Sequence, residues 1–147
     1  MAGDLLGPDI KFHHSKLNFK AAHGGEEVKW HQDIQFWPHT NYSPLTVGVF
    51  LEDVSPGMGN VGFVPGSHEA PLFDQYDGDT WAGCLADEDV ALLDVEGAVY
   101  PSGPAGSITI HNCRTVHGSS PNESGQERPL LLQTYAAADA YTYTDLV

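Results

Sequence analysis

Short runs of alternating apolar and polar residues, rich in Val, Ile, Leu, Thr and Tyr, recur along this chain and are cut off by glycine or proline every few positions. A period of two sends successive side chains to opposite faces of a strand, so these runs predict strands rather than helices. They fall at residues 14–19, 27–33, 45–54, 61–64, 98–100, 107–111, 115–118 and 128–135. Pro65-Gly66-Ser67 and Pro101-Ser102-Gly103-Pro104 carry the residue types that turns demand. One stretch, 81–95, lacks the alternation. It predicts a short helical or irregular insert, and with Asp87, Glu88, Asp89 and Asp94 it is expected to cover one end of the structure. No segment repeats another.

Eight or so short strands with turn signals between them predict an all-β sandwich or jelly roll. Histidines near strand ends, in an acidic and cysteine-poor chain, favour the double-stranded β-helix, a cupin-like barrel that holds a ligand at the mouth between two sheets. A fold of this kind leaves the chemistry open. The 147 residues are expected to form one domain, 1–147. Six Lys and Arg stand against 20 Asp and Glu, for a net charge of −14. A surface that acidic repels phosphate backbones and anionic headgroups, which argues against nucleic acid and membrane partners. Cys84 and Cys113 make neither a disulfide framework nor a zinc pair. The N-terminus has no basic region followed by an apolar run, and no apolar stretch reaches membrane-spanning length, so a cytoplasmic location is expected.

His31-Gln32-Asp33 changes the picture. An imidazole and a carboxylate two positions apart on a strand, or at its end, project from one face, with Trp30 and Ile34 turned toward a core. A His-x-Asp pair arises readily by chance, so a third donor has to be found. His117, in a short strand that closes into Gly118, is the best candidate, and Gly118 is expected to let the backbone approach a ligand. His111 is its rival; Cys113 alternates onto the same face, and a Cys ligand would favour zinc or copper over iron. Two imidazoles and one carboxylate on one face of an iron leave its other positions open, which is the donor set of non-haem Fe(II) oxygenases. Arg128 opens the apolar run Pro129-Leu130-Leu131-Leu132. A guanidinium there needs an anion, either a ligand carboxylate held by its planar fork or an ion pair with Glu127 or Glu123.

Trp30-His31-Gln32-Asp33, Val64-Pro65-Gly66-Ser67-His68 and His117-Gly118-Ser119 with Arg128 eleven positions after His117 together resemble the phytanoyl-CoA dioxygenase family, its ectoine-hydroxylase-like members above all. The likeness runs from about residue 14 to 135, with the motifs in order. It implies a dioxygenase dependent on Fe(II), 2-oxoglutarate and O2 that hydroxylates a small organic substrate, with succinate and CO2 as co-products. It implies His31, Asp33 and His117 as catalytic iron ligands, and Arg128 and Ser119 as the grip on the distal carboxylate of 2-oxoglutarate. Asn18 falls at a position that contacts the co-substrate in the family, with Lys16 a weaker candidate from the same strand. Gly48 stands where several members carry a polar or indole side chain. Against the family, the chain reads as a core shortened at both ends.

Two other readings compete. A non-catalytic or truncated cupin-like domain would bind metal without turnover, and a zinc hydrolase or isomerase would use more histidines and would not need Arg128. Phe36, Trp37 and His39 are expected on a loop flanking the site, in contact with substrate or simply packed. His68 is expected to cap its turn, and His13, His14 and His23 to be edge or surface residues. Asp74, Asp77 and Asp79 miss the spacing of a calcium loop and read as a solvated loop.

Overall fold

The first and last of the long alternating runs pair with each other across almost the whole chain. In a computed structural model of the protein, which describes residues 1–143, a short helix α1 (Ala2–Leu6) leads into β1 (Ile10–Lys20), β2 (Val28–His31), β3 (Leu45–Phe50) and β4 (Val61–Phe63). A small hairpin, β5 (Tyr76–Asp77) and β6 (Thr80–Trp81), and helix α2 (Asp87–Val90) follow. The chain then returns through β7 (Ile108–Asn112), β8 (His117–Ser119) and β9 (Arg128–Ala137). Residues 144–147, the end of the domain expected from the sequence, lie outside the described residues.

Antiparallel pairing builds a four-stranded sheet in the order β1-β9-β3-β7 and a three-stranded sheet in the order β2-β8-β4. The fold is the double-stranded β-helix expected from the sequence. Several strand limits differ. The run 45–54 stops pairing as a strand at Phe50, and Val54 makes one isolated bridge to Gly103. Residues 98–100 form no strand, only the bridge of Val99 to Phe63. The run 27–33 ends at His31, because Asp33 opens a 3-10 turn closed by the Phe36 amide donating to the Asp33 carbonyl at 2.9 Å. The insert 81–95 holds the end of β6 and the single turn of α2.

Most of the buried apolar side chains gather in three clusters. Val64, Phe73, Leu85 and Val116, with Trp30 against them, fill one; Ile34, Trp37 and Cys113 a second; Phe50, Val54 and Leu130, with Val61 and Leu132, a third. At roughly 1.5–3 kcal/mol for each large apolar side chain taken from water, they supply the burial that holds the sheets. The inner face of the large sheet is different. Registered positions run in rows across its strands: His14, Thr134, Thr46 and His111 in one; Lys16, Leu132, Gly48 and Thr109 in the next; then Asn18, Leu130 and Phe50; and finally Lys20 beside Arg128. Every row borders one cavity of about 780 Å³ between the two sheets. On β1 and β7 the alternate positions Leu17, Phe19, Ile108 and Ile110 stay exposed.

Candidate functional site

His31 ends β2, His117 begins β8, and the two are directly registered partners. Their rings lie 4.2 Å apart between centroids. Each ring is fixed through its inner nitrogen: His31 Nδ1 donates to the Lys29 carbonyl and His117 Nδ1 to the Thr115 carbonyl, both at 2.9 Å. A protonated Nδ1 leaves Nε2 as the bare acceptor, the tautomer that a metal requires. Asp33 Oδ1 sits 3.8 Å from each Nε2. One ligand atom from each of His31, Asp33 and His117 lies within 4.8 Å of the others. The three converge as the sequence implied, but Asp33 arrives by the 3-10 turn and not by strand alternation.

The electrostatics suit a cation. Burial, reinforced by the neighbouring His117, pushes the His31 imidazole down to about 4, and burial takes His117 to about 4 as well. Burial opposes the charge on Asp33, yet the surrounding imidazoles of His117, His111 and His31 outweigh it and hold the carboxyl well below the usual carboxylate range. At neutral pH the site therefore offers two unprotonated imidazoles and one carboxylate, and a metal would displace no protons from them.

His111 is not the third donor. Its Nε2 donates to the other carboxylate oxygen, Asp33 Oδ2, at 3.4 Å, and the Thr46 hydroxyl reaches the same oxygen at 3.5 Å. These two contacts occupy Oδ2 and turn Oδ1 toward His31 and His117. Cys113 does not share the face of His111. It follows the last residue of β7, so the alternation has ended. Its thiol is packed with Ile34 and Trp37, and burial followed by the Asp33 charge pushes it up to about 12. The thiol does not line the cavity that holds the triad.

Gly118 borders the cavity and has a packing task as well. A side chain there would lie 2.8 Å from the Val28 carbonyl and 3.3 Å from the Trp30 ring, so the glycine admits the irregular stretch of β2 between Val28 and His31. Gly48 also has no room to spare: a Cβ would meet Thr109 Oγ1 at 2.7 Å and the Leu132 side chain at 3.4 Å. The place of a larger side chain is filled from neighbouring strands.

Gln32 is the residue that motif reading passed over. It is completely buried between the two donor residues, on the opposite side. Its amide nitrogen donates to the Arg114 carbonyl at 2.8 Å and its amide oxygen accepts from the Phe73 amide at 3.1 Å. Its own carbonyl accepts from the Gln75 side chain at 2.8 Å. A polar residue at an inward position of a strand, between His and Asp, was the available signal. Ser67 has a comparable role in the Pro-Gly-Ser-His turn, where its hydroxyl donates to the Val64 carbonyl and accepts from the Val116 amide. His68 beside it is exposed.

Beyond the donor triad the cavity is lined by Asn18, Ser119 and Arg128, by Lys16, and by Phe36 and Trp37. Arg128 is 4% exposed, and among the described residues no carboxylate lies within ion-pair distance of it. Its wholly inaccessible Nε has no hydrogen-bond partner. The expected alternative, an ion pair with Glu127 or Glu123, is not made. His13 and His14 are not surface residues either. A register shift in β1 brings both rings against Trp37, and His14 lines the cavity. His39 is buried beside Trp37, outside the lining.

Residues 2–130 match the Phytanoyl-CoA dioxygenase (PhyH) family. The chain is 44% identical over 141 residues to a Stutzerimonas stutzeri protein named as a probable alpha-ketoglutarate-dependent hypophosphite dioxygenase, over 93% of this chain and 49% of that one. It is 29% identical over 150 residues to an ectoine dioxygenase of Stutzerimonas stutzeri strain A1501, over 92% of this chain and 50% of that one. The solved structure of EctD from S. alaskensis with bound Fe superposes with a TM-score of 0.80 at 30% identity, over 92% of this chain and 48% of that one. The chain thus spans about half the length of the curated relatives it matches.

Proposed function

The chain belongs to the phytanoyl-CoA dioxygenase family, and from that premise we propose that it is the core of an Fe(II)- and 2-oxoglutarate-dependent dioxygenase. One observation carries the reading: the cavity that holds the His31–Asp33–His117 triad also holds Arg128, a buried cation with no carboxylate within ion-pair distance among the described residues. His31 Nε2, His117 Nε2 and Asp33 Oδ1 are the iron ligands. Iron with the keto acid and O2 would supply the oxidant, leaving succinate, CO2 and a hydroxylated substrate. Arg128 and the Ser119 hydroxyl hold the distal carboxylate, and Asn18, which lines the same cavity, contacts the co-substrate. His111 and Thr46 orient Asp33.

The substrate is a small polar molecule. Lys16, Lys20, Lys29 and Arg128, four of the chain's six Lys and Arg residues, border this one cavity in a chain of net charge −14, which favours anionic ligands. The 44% identity to a protein named for hypophosphite supports the same class. A cytoplasmic setting belongs to this reading, with Cys84 and Cys113 both present as free thiols. A non-catalytic metal-binding domain would have no use for a buried, unpaired arginine.

The test is an anaerobic titration with Fe(II) and then 2-oxoglutarate, following the visible charge-transfer band of the chelate. His117→Ala should abolish the band. Arg128→Ala should still take up iron and require at least about tenfold more keto acid, a loss of about 1.4 kcal/mol. No band in folded, iron-loaded protein overturns the proposal.

A further inference from the structure

Lys20 stands out among the groups that this reading leaves without a task. Its side chain is 6% exposed although it belongs to the edge strand of the large sheet, and it is the registered neighbour of Arg128 on β9. Two like charges placed directly opposite on adjacent strands are destabilising, and more so when both are out of water. Among the described residues neither has a carboxylate within ion-pair distance.

The surroundings nevertheless hold Lys20 there. A Cβ at Gly25 would collide with its Cγ, and a Cβ at Gly59 would collide with its Cδ, so two glycines form a sheath around the stem. Gly59 has a φ of +67°, a conformation that other residues rarely adopt. The buried Asn122 side chain closes the sheath by donating to the Lys20 carbonyl at 3.1 Å. Nζ emerges at Ser119. It donates to Ser119 Oγ at 2.7 Å and to the Ser120 carbonyl at 2.5 Å.

A serine hydroxyl has one hydrogen and two lone pairs. With one lone pair of Ser119 Oγ taken by an ammonium, its hydrogen must be donated elsewhere, and the cavity that Ser119, Lys20 and Arg128 all line is the open side. We propose that Lys20 is a positioning residue of the keto-acid subsite: it aims the Ser119 hydroxyl at the distal carboxylate and adds a second positive charge beside Arg128. The inference rests on the proposed 2-oxoglutarate dependence. It explains why two cations are buried together with no ion-pair partner among the described residues. Burial, then the nearness of Arg128, lowers the Lys20 ammonium to about 8, in keeping with a cation awaiting its partner.

The decisive comparison uses two chelators on the Fe(II)-loaded protein under anaerobic conditions, with binding read by calorimetry. Both 2-oxoglutarate and oxalate occupy the metal, but only the first has a tail carboxylate. Lys20→Met keeps the unbranched stem between the glycines and removes the charge. It should weaken 2-oxoglutarate at least tenfold while oxalate stays within twofold. Adding Ser119→Ala to Lys20→Met should cost little more, because the hydroxyl has already lost its aim. Equal losses for both chelators, or none for either, overturn the assignment of Lys20. If Lys20→Met does not fold, Lys20→Gln, which retains a donor for Ser119, decides the same comparison with at least a fivefold selective loss. Wild-type protein that binds oxalate but not 2-oxoglutarate would instead overturn the proposed co-substrate and, with it, this inference.

Discussion

The two ends of the cavity follow opposite electrostatic plans. At the triad, one carboxylate is surrounded by three imidazoles and a hydroxyl, the His31 and His117 rings are each oriented by a backbone carbonyl, and the group carries the negative charge that a cation would answer. At the other end, Lys20 and Arg128 lie side by side, and among the described residues neither has a carboxylate within ion-pair distance. The first end is organised for geometry and the second for affinity. The difference shows where ligand binding can stabilise the fold: a metal completes a set already in place, whereas a dicarboxylate relieves a repulsion that folding has imposed.

Asp33→Ala should break the comparison most severely. It removes the only anionic donor, and Fe(II) affinity should fall by more than the roughly 10–100-fold typical of outer contacts, as read by anaerobic metal titration. Arg128→Met should split stability from binding. Loss of a buried charge without an ion-pair partner among the described residues is expected to stabilise the ligand-free protein by about 1 kcal/mol, read as a higher melting temperature, while 2-oxoglutarate affinity falls at least about tenfold. A lower melting temperature would show that the guanidinium is compensated after all. His111→Leu should have a milder effect. Asp33 Oδ2 loses a donor, and iron affinity drops about tenfold with the three ligands intact.

The pH response should separate the ends with the smallest effect. His31 and His117 sit at about 4 in the folded protein against an ordinary 6.5, so the unfolded chain binds more protons between those values. Metal-free protein should therefore lose stability as pH falls from 6.5 toward 4. Lys20, at about 8 against an ordinary 10.5, follows the same rule in another window. Its contribution should make the fold more stable as pH rises from about 8 to 10.5. Melting temperatures in a buffer series, with Lys20→Met as the control for the alkaline limb, check both signs.

The convergence of His31, Asp33 and His117 was legible in the sequence because the three sit in short motifs. The two-residue spacing of His31 and Asp33 survives a change of local structure from strand to 3-10 turn, since either route brings both to the cavity. Lys20 was not legible. A lysine on an alternating run reads as solvated, and only the register Lys20 to Arg128 and the distant Gly25 and Gly59 show otherwise. His111 fell between the two cases. Its face was readable, but that its ring reaches Asp33 Oδ2 follows from its pairing with Thr46 and from the 3-10 turn that carries Asp33. The hairpin of β5 and β6 and helix α1 escaped because elements of two to five residues carry too little periodicity to be recognised.

Gln32 ties the two donor residues it separates to the segment around Phe73 and Gln75. Clamping His31 and Asp33 on a metal also clamps the peptide between them, and with it the amide of Phe73. The loop over the small sheet thereby becomes a reporter of occupancy at a site it does not touch: hydrogen exchange at Phe73 should slow when iron binds, and replacing Gln32 with Leu should cut that communication.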